Sequence, residues 1–186
     1  MKTHIANVID LELSCYPANE FPHGETKEII EVGLAIVDLR SLSITKTYSV
    51  PIVPSVSTIS PYCTELTGWT GAKLKRQGVE FKEACRRLSE KYGGQNRLLI
   101  TDSDDPDFFR EQCLAMQVTY PFGTDCINVS TLFALFTGEF RKVSLESMLA
   151  KFGMEFEGRL HSAEDDARNI ARLFIRLIRE KAWTRG

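Results

Sequence analysis

The sequence predicts an α/β domain in which a central β-sheet is flanked by helices. Three observations carry this prediction. Segments rich in β-branched residues dominate the first third of the chain, and apolar residues at helical spacing dominate the remainder. The 186 residues contain no linker or repeat and match the size of one sizeable core. We therefore expect a single domain spanning residues 1–186.

Three strands are predicted at the start of the chain. Residues 4–13 (HIANVIDLEL) form an apolar run with acids only near its end, as in a buried strand that reaches an open edge. Residues 28–38 and 43–53 are rich in β-branched side chains, and the short link between them indicates a hairpin. Residues 54–71 then read as an ordered loop with a short helix at 61–66.

The later elements are mostly helical. Apolar residues spaced three and four apart predict a helix that ends before Gly93, and residues 97–101 form a short central strand. Residues 105–116 read as a helix with Pro106 in its first turn, where a missing N–H is tolerated. Two helices follow at 129–136 and 144–152. The last helix starts after Ser162, a favourable N-cap, with three acids in its first turn.

Composition narrows the class of protein. No run approaches the ~20 apolar residues of a membrane span, and the N-terminus reaches an acid too early for a signal peptide, so we expect a cytoplasmic protein without membrane contact. The five cysteines contain no Cys-x-x-Cys pair, and we expect them to be reduced. The formal net charge of −2 offers no general attraction for nucleic acid, so such a partner requires a local patch or metals.

Asp10 and Glu12 are the first candidates for chemistry. Side chains two apart on a strand share a face, so the two carboxylates project together. Hard divalent cations such as Mg²⁺ and Mn²⁺ prefer oxygen ligands, and a two-metal site needs several carboxylates from separate elements. Taken alone, an Asp-x-Glu pair is more often ordinary surface charge.

His161 and Asp166 are the second pair of candidates. His161 precedes the last helix and Asp166 lies just over one turn inside it, so both side chains can face one cleft. Histidine can accept a proton near neutral pH. Acids at a helix start also stabilise the helix dipole without any catalytic role, and that interpretation is equally open for this segment.

Together these segments resemble the DEDDh 3′→5′ exonuclease superfamily, whose pattern is Asp-x-Glu on the first strand, a central Asp, and a late His-x-x-x-x-Asp. The likeness is greatest to the branch of exonucleases that trim histone mRNA and siRNA. It covers nearly the whole chain in the correct order. The matching segments are residues 8–15 (VIDLELSC), 28–33 (EIIEVG), 63–68 (CTELTG) and 161–171 (HSAEDDARNIA).

The resemblance implies an RNase-H-like exonuclease fold, with a central mixed β-sheet whose first three strands are antiparallel and whose others are parallel. It implies removal of nucleotides one at a time from a 3′ end, releasing 5′-mononucleotides, with two divalent metal ions, Mg²⁺ or Mn²⁺. Asp10, Glu12 and Asp166 would hold the metals, and His161 would act as general base.

The central aspartate is the least defined member of the set. The family usually has a Trp-Asp pair before a helix that ends near Gln-Cys. Counting back from Phe108 and Gln112 places Asp104 at that position, although the segment is about two residues shorter than in the family and lacks the Trp. Asp104 is the predicted ligand, with Asp105 and Asp102 as the alternatives.

Substrate contacts are predicted on two segments. The backbone of Leu11 and Leu13 is placed beside the terminal nucleotide, and Thr64 and Leu66 lie where the family packs the last base, although Leu66 is equally compatible with loop-anchoring core. A basic stripe on the last helix more often forms a solvated face than a phosphate contact. The stripe consists of Arg168, Arg172, Arg176 and Arg179.

The partner predicted by the resemblance is the 3′ end of a nucleic acid. RNA is favoured, while single-stranded DNA and short oligonucleotides stay open because contacts to the 2′-hydroxyl are not readable from the sequence. The alternative is a catalytically impaired nucleic-acid-binding module that keeps the fold. The altered segment around Asp104 is the feature that keeps this alternative open.

Overall fold

The computed structural model describes the backbone of residues 4–183 and the side chains up to residue 180. Its centre is a five-stranded sheet in which β1 is the middle strand. The strands are β1 (Ile5–Leu13), β2 (Ile29–Asp38), β3 (Ser43–Pro51), β4 (Leu98–Thr101) and β5 (Cys126–Asn128), and their order across the sheet is β3-β2-β1-β4-β5.

The pairing of these strands is mixed, as predicted. β1 and β3 each run antiparallel to β2, whereas β4 runs parallel to β1 and β5 parallel to β4. The predicted hairpin joins β2 and β3. Asp38 stabilises its turn, because Oδ1 accepts hydrogen bonds from the backbone N–H groups of Arg40 and Ser41.

Seven α-helices surround the sheet within the described residues. They are α1 (Pro61–Thr67), α2 (Gly71–Gln77), α3 (Phe81–Glu90), α4 (Asp105–Ala115), α5 (Val129–Thr137), α6 (Leu145–Lys151) and α7 (Ala163–Trp183). Neither α2 nor the three-residue strand β5 was predicted from the sequence. Both are short, and β5 forms because it completes the parallel edge beside β4.

Helices cover both faces of the sheet. Ile9 and Leu11 of β1 pack on the side that carries α3 and α4, with Phe109 at the centre of that core. Ala6 and Val8, which alternate with them, pack on the side of α5, α6 and α7. The predicted class, a mixed sheet flanked by helices, is therefore confirmed.

Gly33 allows the first turn of α7 to rest directly on the sheet. A Cβ atom at Gly33 would lie 1.7 Å from the carbonyl oxygen of Ala163, so no other residue fits without displacing α7. This contact fixes the height of α7 above β2, and α7 brings Asp166 toward β1.

All five cysteines are free thiols, and three of them are buried. None of the helices described here has the length and apolar character that crossing a bilayer requires.

Candidate active site

Asp10 and Glu12 lie at the carboxyl end of β1, where the sheet opens. β4 pairs with β1 only at residues 6–8, so the following residues of β1 extend past that neighbour. Both acids share the face of Ala6 and Val8, which is the face covered by α7. The strand therefore directs two carboxylates toward the helix that carries Asp166.

Asp166 completes a three-carboxylate cluster. Asp10, Glu12 and Asp166 each offer one oxygen, and these atoms lie within 4.8 Å of one another. Glu12 and Asp166 are only 7% and 9% exposed. Carboxylates that are this close and this poorly solvated repel one another unless protons or cations neutralise them.

Asp105 is the fourth carboxylate beside this cluster. Its charge is the second largest cause, after burial, of the raised pKa of Asp10. The backbone N–H of Leu11, on the edge of β1 that β4 leaves uncovered, partly offsets the effect of burial on the pKa of Asp105. Asp105 therefore approaches the cluster from α4, across the open edge of the sheet.

Asp104, the aspartate predicted for this position, is exposed and precedes α4. The helical phase of α4 explains why Asp105, and not Asp104, is directed toward the cluster. Asp105 stands four residues before Phe109 and seven before Gln112, both of which are buried against the sheet, so these residues share one helical face. Asp104 lies outside that face.

Asp102, the other alternative, is held away from the cluster centre. Its Oδ1 accepts a hydrogen bond of 2.5 Å from Ser130 Oγ on α5. Burial raises the pKa of Asp102 to about 6. Its charge is the last of the causes that raise the pKa of Asp10, in agreement with a peripheral position.

Burial raises the pKa of each carboxylate in the cluster, and the charges of neighbouring acids raise it further. The pKa of Asp10 is well above its ordinary value, with burial as the largest cause. Burial, followed by the charge of Asp166, raises the pKa of Glu12 to about 8. Burial also raises the pKa of Asp166 to about 7. In the absence of a cation, the cluster is therefore partly protonated near neutral pH.

The donor set fits hard divalent ions. Oδ2 of Asp105 and Oδ2 of Asp166 are buried without a hydrogen-bond partner. Buried oxygens without partners are costly, and a bound cation would satisfy them. The three ligand atoms of the cluster are carboxylate oxygens, the type that Mg²⁺ and Mn²⁺ prefer.

His161 lies at the rim of the cluster. It occupies the loop before α7 with a φ of 60°, which turns the chain sharply into the helix. Its Nδ1 lies 3.9 Å from Oε1 of Glu12, and the side chain is 53% exposed. The imidazole can therefore reach both the carboxylates and bulk water.

The four residues predicted to contact substrate lie on two adjoining elements. The side chain of Leu11 is buried in the core and Leu13 packs against that core. Thr64 and Leu66 are partly exposed on α1. α1 is attached to the chain after β1, because Ser60 Oγ donates a hydrogen bond of 2.6 Å to the carbonyl oxygen of Cys15.

Glu31 is a structural determinant of the site that the sequence analysis did not identify. It is 3% exposed and pairs with Glu12 in the β1–β2 register. Its Oε2 accepts hydrogen bonds from Trp69 Nε1 at 2.9 Å and from the N–H of Ala163 at 3.3 Å. Glu31 thus holds the start of α7 in place. The sequence signal was the segment 28–33 that carries the family resemblance.

The basic stripe on α7 is partnered rather than free, as expected for a solvated face. Each arginine donates to a nearby oxygen: Arg168 to Asp165, Arg172 to Glu157, Arg176 to Glu180, and Arg179 to the carbonyl of Leu42.

Comparison with known proteins identifies the family. Residues 8–174 match the family model described as Exonuclease, RNase_T. 3′-5′ exoribonuclease 1 of Rattus norvegicus is 32% identical over 190 residues, which cover 93% of this chain and 52% of that protein. The Homo sapiens protein of the same name is 31% identical with the same coverage. The chain thus spans about half the length of these curated relatives.

A solved structure supports the same assignment. The nuclease domain of 3′hExo, described as a DEDDh family member bound to rAMP, superposes with a TM-score of 0.85 at 28% identity, covering 96% of this chain and 93% of that one. The RNase-H-like exonuclease fold predicted from the sequence is thereby confirmed. The chain is therefore similar to 3′-5′ exoribonuclease 1 and to the DEDDh nuclease domain of 3′hExo, and it belongs to the RNase_T exonuclease family.

Proposed function

We propose that this chain is a metal-dependent 3′→5′ exonuclease that hydrolyses the terminal phosphodiester bond at the 3′ end of RNA and releases 5′-mononucleotides. The observation that carries the proposal is the cluster of Asp10, Glu12 and Asp166 with His161 at its rim. Hydrolysis of a phosphodiester needs an activated water, neutralised charge and a stabilised leaving oxygen. The cluster offers a base that can activate water and carboxylates that can bind charge-neutralising cations.

We assign the metal ligands to Asp10, Glu12, Asp166 and Asp105, with Asp105 in the role first predicted for Asp104. The burial of Glu12 and Asp166 and the unpartnered oxygens of Asp105 and Asp166 support this set. Two Mg²⁺ or Mn²⁺ ions would supply charge neutralisation and lower the pKa of water. The residues supply ligands from three separate elements, as a site for two ions requires.

We assign His161 as the general base. Its imidazole faces Glu12 at 3.9 Å and is 53% exposed, so it can take a proton from the attacking water and pass it to solvent. Its left-handed backbone places the side chain at the mouth of the cluster rather than inside it. A base at the mouth can act on water without competing with the carboxylates for the metals.

We place the 3′-terminal nucleotide between the end of β1 and α1. Thr64 and Leu66 of α1 present partly exposed side chains there, and the backbone of Leu11 and Leu13 borders the acids. Apolar and hydroxyl groups of this kind pack against a base and a sugar without reading sequence.

RNA is the favoured polymer. The relatives are named exoribonucleases, and the 3′hExo nuclease domain is described as bound to rAMP. Single-stranded DNA and short oligonucleotides are the other substrates to be compared. The cytoplasmic location inferred from the sequence stays a prediction.

The test is incubation of a 5′-labelled RNA with a 3′ single-stranded tail, and of the matching DNA, with Mg²⁺ or Mn²⁺. We expect shortening one nucleotide at a time from the 3′ end, faster on RNA, and its loss in Asp10→Ala. Binding of RNA without shortening of either polymer in either metal would overturn the proposal in favour of a binding module.

A further inference from the structure

Arg159 connects the loop of His161 to α1. Nη1 of Arg159 donates a hydrogen bond of 3.1 Å to the carbonyl oxygen of Thr67. Nη2 donates to the carbonyl oxygens of Glu65 at 3.2 Å and Leu66 at 2.9 Å. One guanidinium therefore contacts three consecutive carbonyls of a helix that lies more than ninety residues earlier in the chain.

These carbonyls are the ones that α1 leaves without partners. The helix has seven residues, and the carbonyls of a last helical turn have no N–H ahead of them. The N–H of Gly68 satisfies only the carbonyl of Thr64. The guanidinium supplies donors to the next three, and its positive charge lies at the negative end of the helix dipole. Arg159 is thus the C-terminal cap of α1.

The backbone of Arg159 is attached to α7. Its N–H donates a hydrogen bond of 3.0 Å to Oδ2 of Asp165, in the first turn of α7 next to Asp166. Oδ1 of the same carboxylate accepts from Arg168 Nη1 at 2.6 Å. The side chain of Arg159 therefore holds α1 while its main chain is held by α7. We call this connection the Arg159 bridge.

Gly68 provides the space that the bridge occupies. A Cβ atom at Gly68 would lie 1.9 Å from Nη1 of Arg159, and its φ of 74° favours glycine in any case. A methyl group at this position would clash with the guanidinium that contacts the three carbonyls. The glycine and the arginine therefore act as one unit.

We propose that Arg159 is a positioning residue for the exonuclease reaction: it sets the wall formed by Thr64 and Leu66 at a fixed distance from His161 and Asp166. The inference rests on the proposed function. Hydrolysis requires the scissile phosphate to be aligned with the carboxylates while α1 holds the terminal nucleotide, and small misplacements of this kind are costly. The bridge is a direct hydrogen-bonded link between α1 and the start of α7.

The test compares Arg159→Ala, Arg159→Lys and Gly68→Ala with the control Gly138→Ala. Gly138 ends α5 with a φ of 72°, and nothing lies within 4 Å of a Cβ placed there. Its substitution reproduces the left-handed strain of Gly68→Ala without displacing a guanidinium. Steady-state rates on the 3′-tailed RNA with Mn²⁺, together with hydrogen exchange of the α1 amides, are the measurements.

For Arg159→Ala and Gly68→Ala we expect kcat/KM to fall roughly tenfold or more, with a higher KM and faster exchange in α1. Arg159→Lys keeps the charge but lacks the planar fork, so its rate should fall between those of Arg159→Ala and the wild type. The double variant of Gly68→Ala and Arg159→Ala should be worse than Arg159→Ala by no more than the defect of Gly138→Ala, because the clashing group is gone and only the left-handed strain remains. Loss of folded protein alone would lower kcat and leave KM unchanged.

If wild type and Gly138→Ala shorten RNA and Arg159→Ala matches them in both KM and α1 exchange, the positioning role of Arg159 is refuted. A Gly68→Ala defect equal to that of Gly138→Ala also overturns it. If the wild type shortens no RNA, the proposed function fails instead, and α1 exchange alone then decides whether the bridge holds the helix. Arg159→Lys replaces Arg159→Ala in each comparison if the alanine variant does not fold.

Discussion

Replacing Glu12 with Gln is expected to stabilise the metal-free protein while removing its activity. Burial and the charge of Asp166 raise the pKa of Glu12 from 4.5 to about 8. A carboxyl with a raised pKa in the folded state contributes stability that is fully present below its unfolded pKa, and this contribution is lost as pH rises through the folded pKa. Glutamine mimics the protonated side chain at every pH, so the variant avoids that loss.

The size of this stabilisation follows from the pKa shift of Glu12. Three and a half pKa units at about 1.36 kcal/mol each correspond to roughly 5 kcal/mol for complete ionisation of Glu12. Asp166 shares the same repulsion, so one substitution relieves only part of it. We therefore expect the free energy of unfolding of Glu12→Gln to be about 2–3 kcal/mol higher than that of the wild type at pH 9. At pH 4.5 the difference should fall below about 0.5 kcal/mol, since Glu12 is then protonated in the folded state and about half protonated in the unfolded state.

The assay is urea unfolding with EDTA present at pH 4.5, 7 and 9. Glu28→Gln is the matched control, because Glu28 is also buried at the sheet but has a lowered pKa and accepts hydrogen bonds from residues 55–57. That variant should be less stable than wild type at pH 7 and 9, and the deficit should shrink as pH falls. Equal stability of Glu12→Gln and wild type at pH 9 would refute the charge repulsion inferred for the cluster.

Three other predictions concern single residues. Asp105→Asn should reduce kcat about a hundredfold or more by removing a metal ligand, while Asp104→Asn should change it less than about threefold. A larger defect in Asp104→Asn than in Asp105→Asn would return the ligand role to Asp104. His161→Asn should lower the rate at pH 7 about a hundredfold and leave Mn²⁺ affinity, measured by calorimetry, within about threefold of wild type. Gly33→Ala should destabilise the fold by about 3 kcal/mol or more in urea unfolding, since its Cβ would lie 1.7 Å from the carbonyl of Ala163; a change below about 1 kcal/mol would contradict the close packing.

Local patterns were sufficient to predict most of the candidate site. Alternation along β1 put Asp10 and Glu12 on one face, and the structure finds both within one cluster. The interval between His161 and Asp166, just over a helical turn, was sufficient to place them on one side of the start of α7. Strand alternation and helical pitch are properties of the backbone alone, so they do not depend on how the domain packs.

Residues whose role depends on a distant partner were not predictable in this way. The choice between Asp104 and Asp105 depends on the phase of α4, which Phe109 and Gln112 set by packing against the sheet. Glu31 holds the N–H of Ala163 from a strand 132 residues earlier, and Arg159 caps a helix formed by residues 61–67.

The sequence by itself thus determined the fold class and the family, and it grouped Asp10, Glu12, His161 and Asp166 as candidates for one site. Only the tertiary structure decided that Asp105 stands beside them and that Glu31 and Arg159 hold the surrounding elements in place. The physical reason is that strand alternation and helical pitch follow from neighbouring residues. Helix phase against a sheet and a cap supplied from another part of the chain follow from packing between segments far apart in sequence.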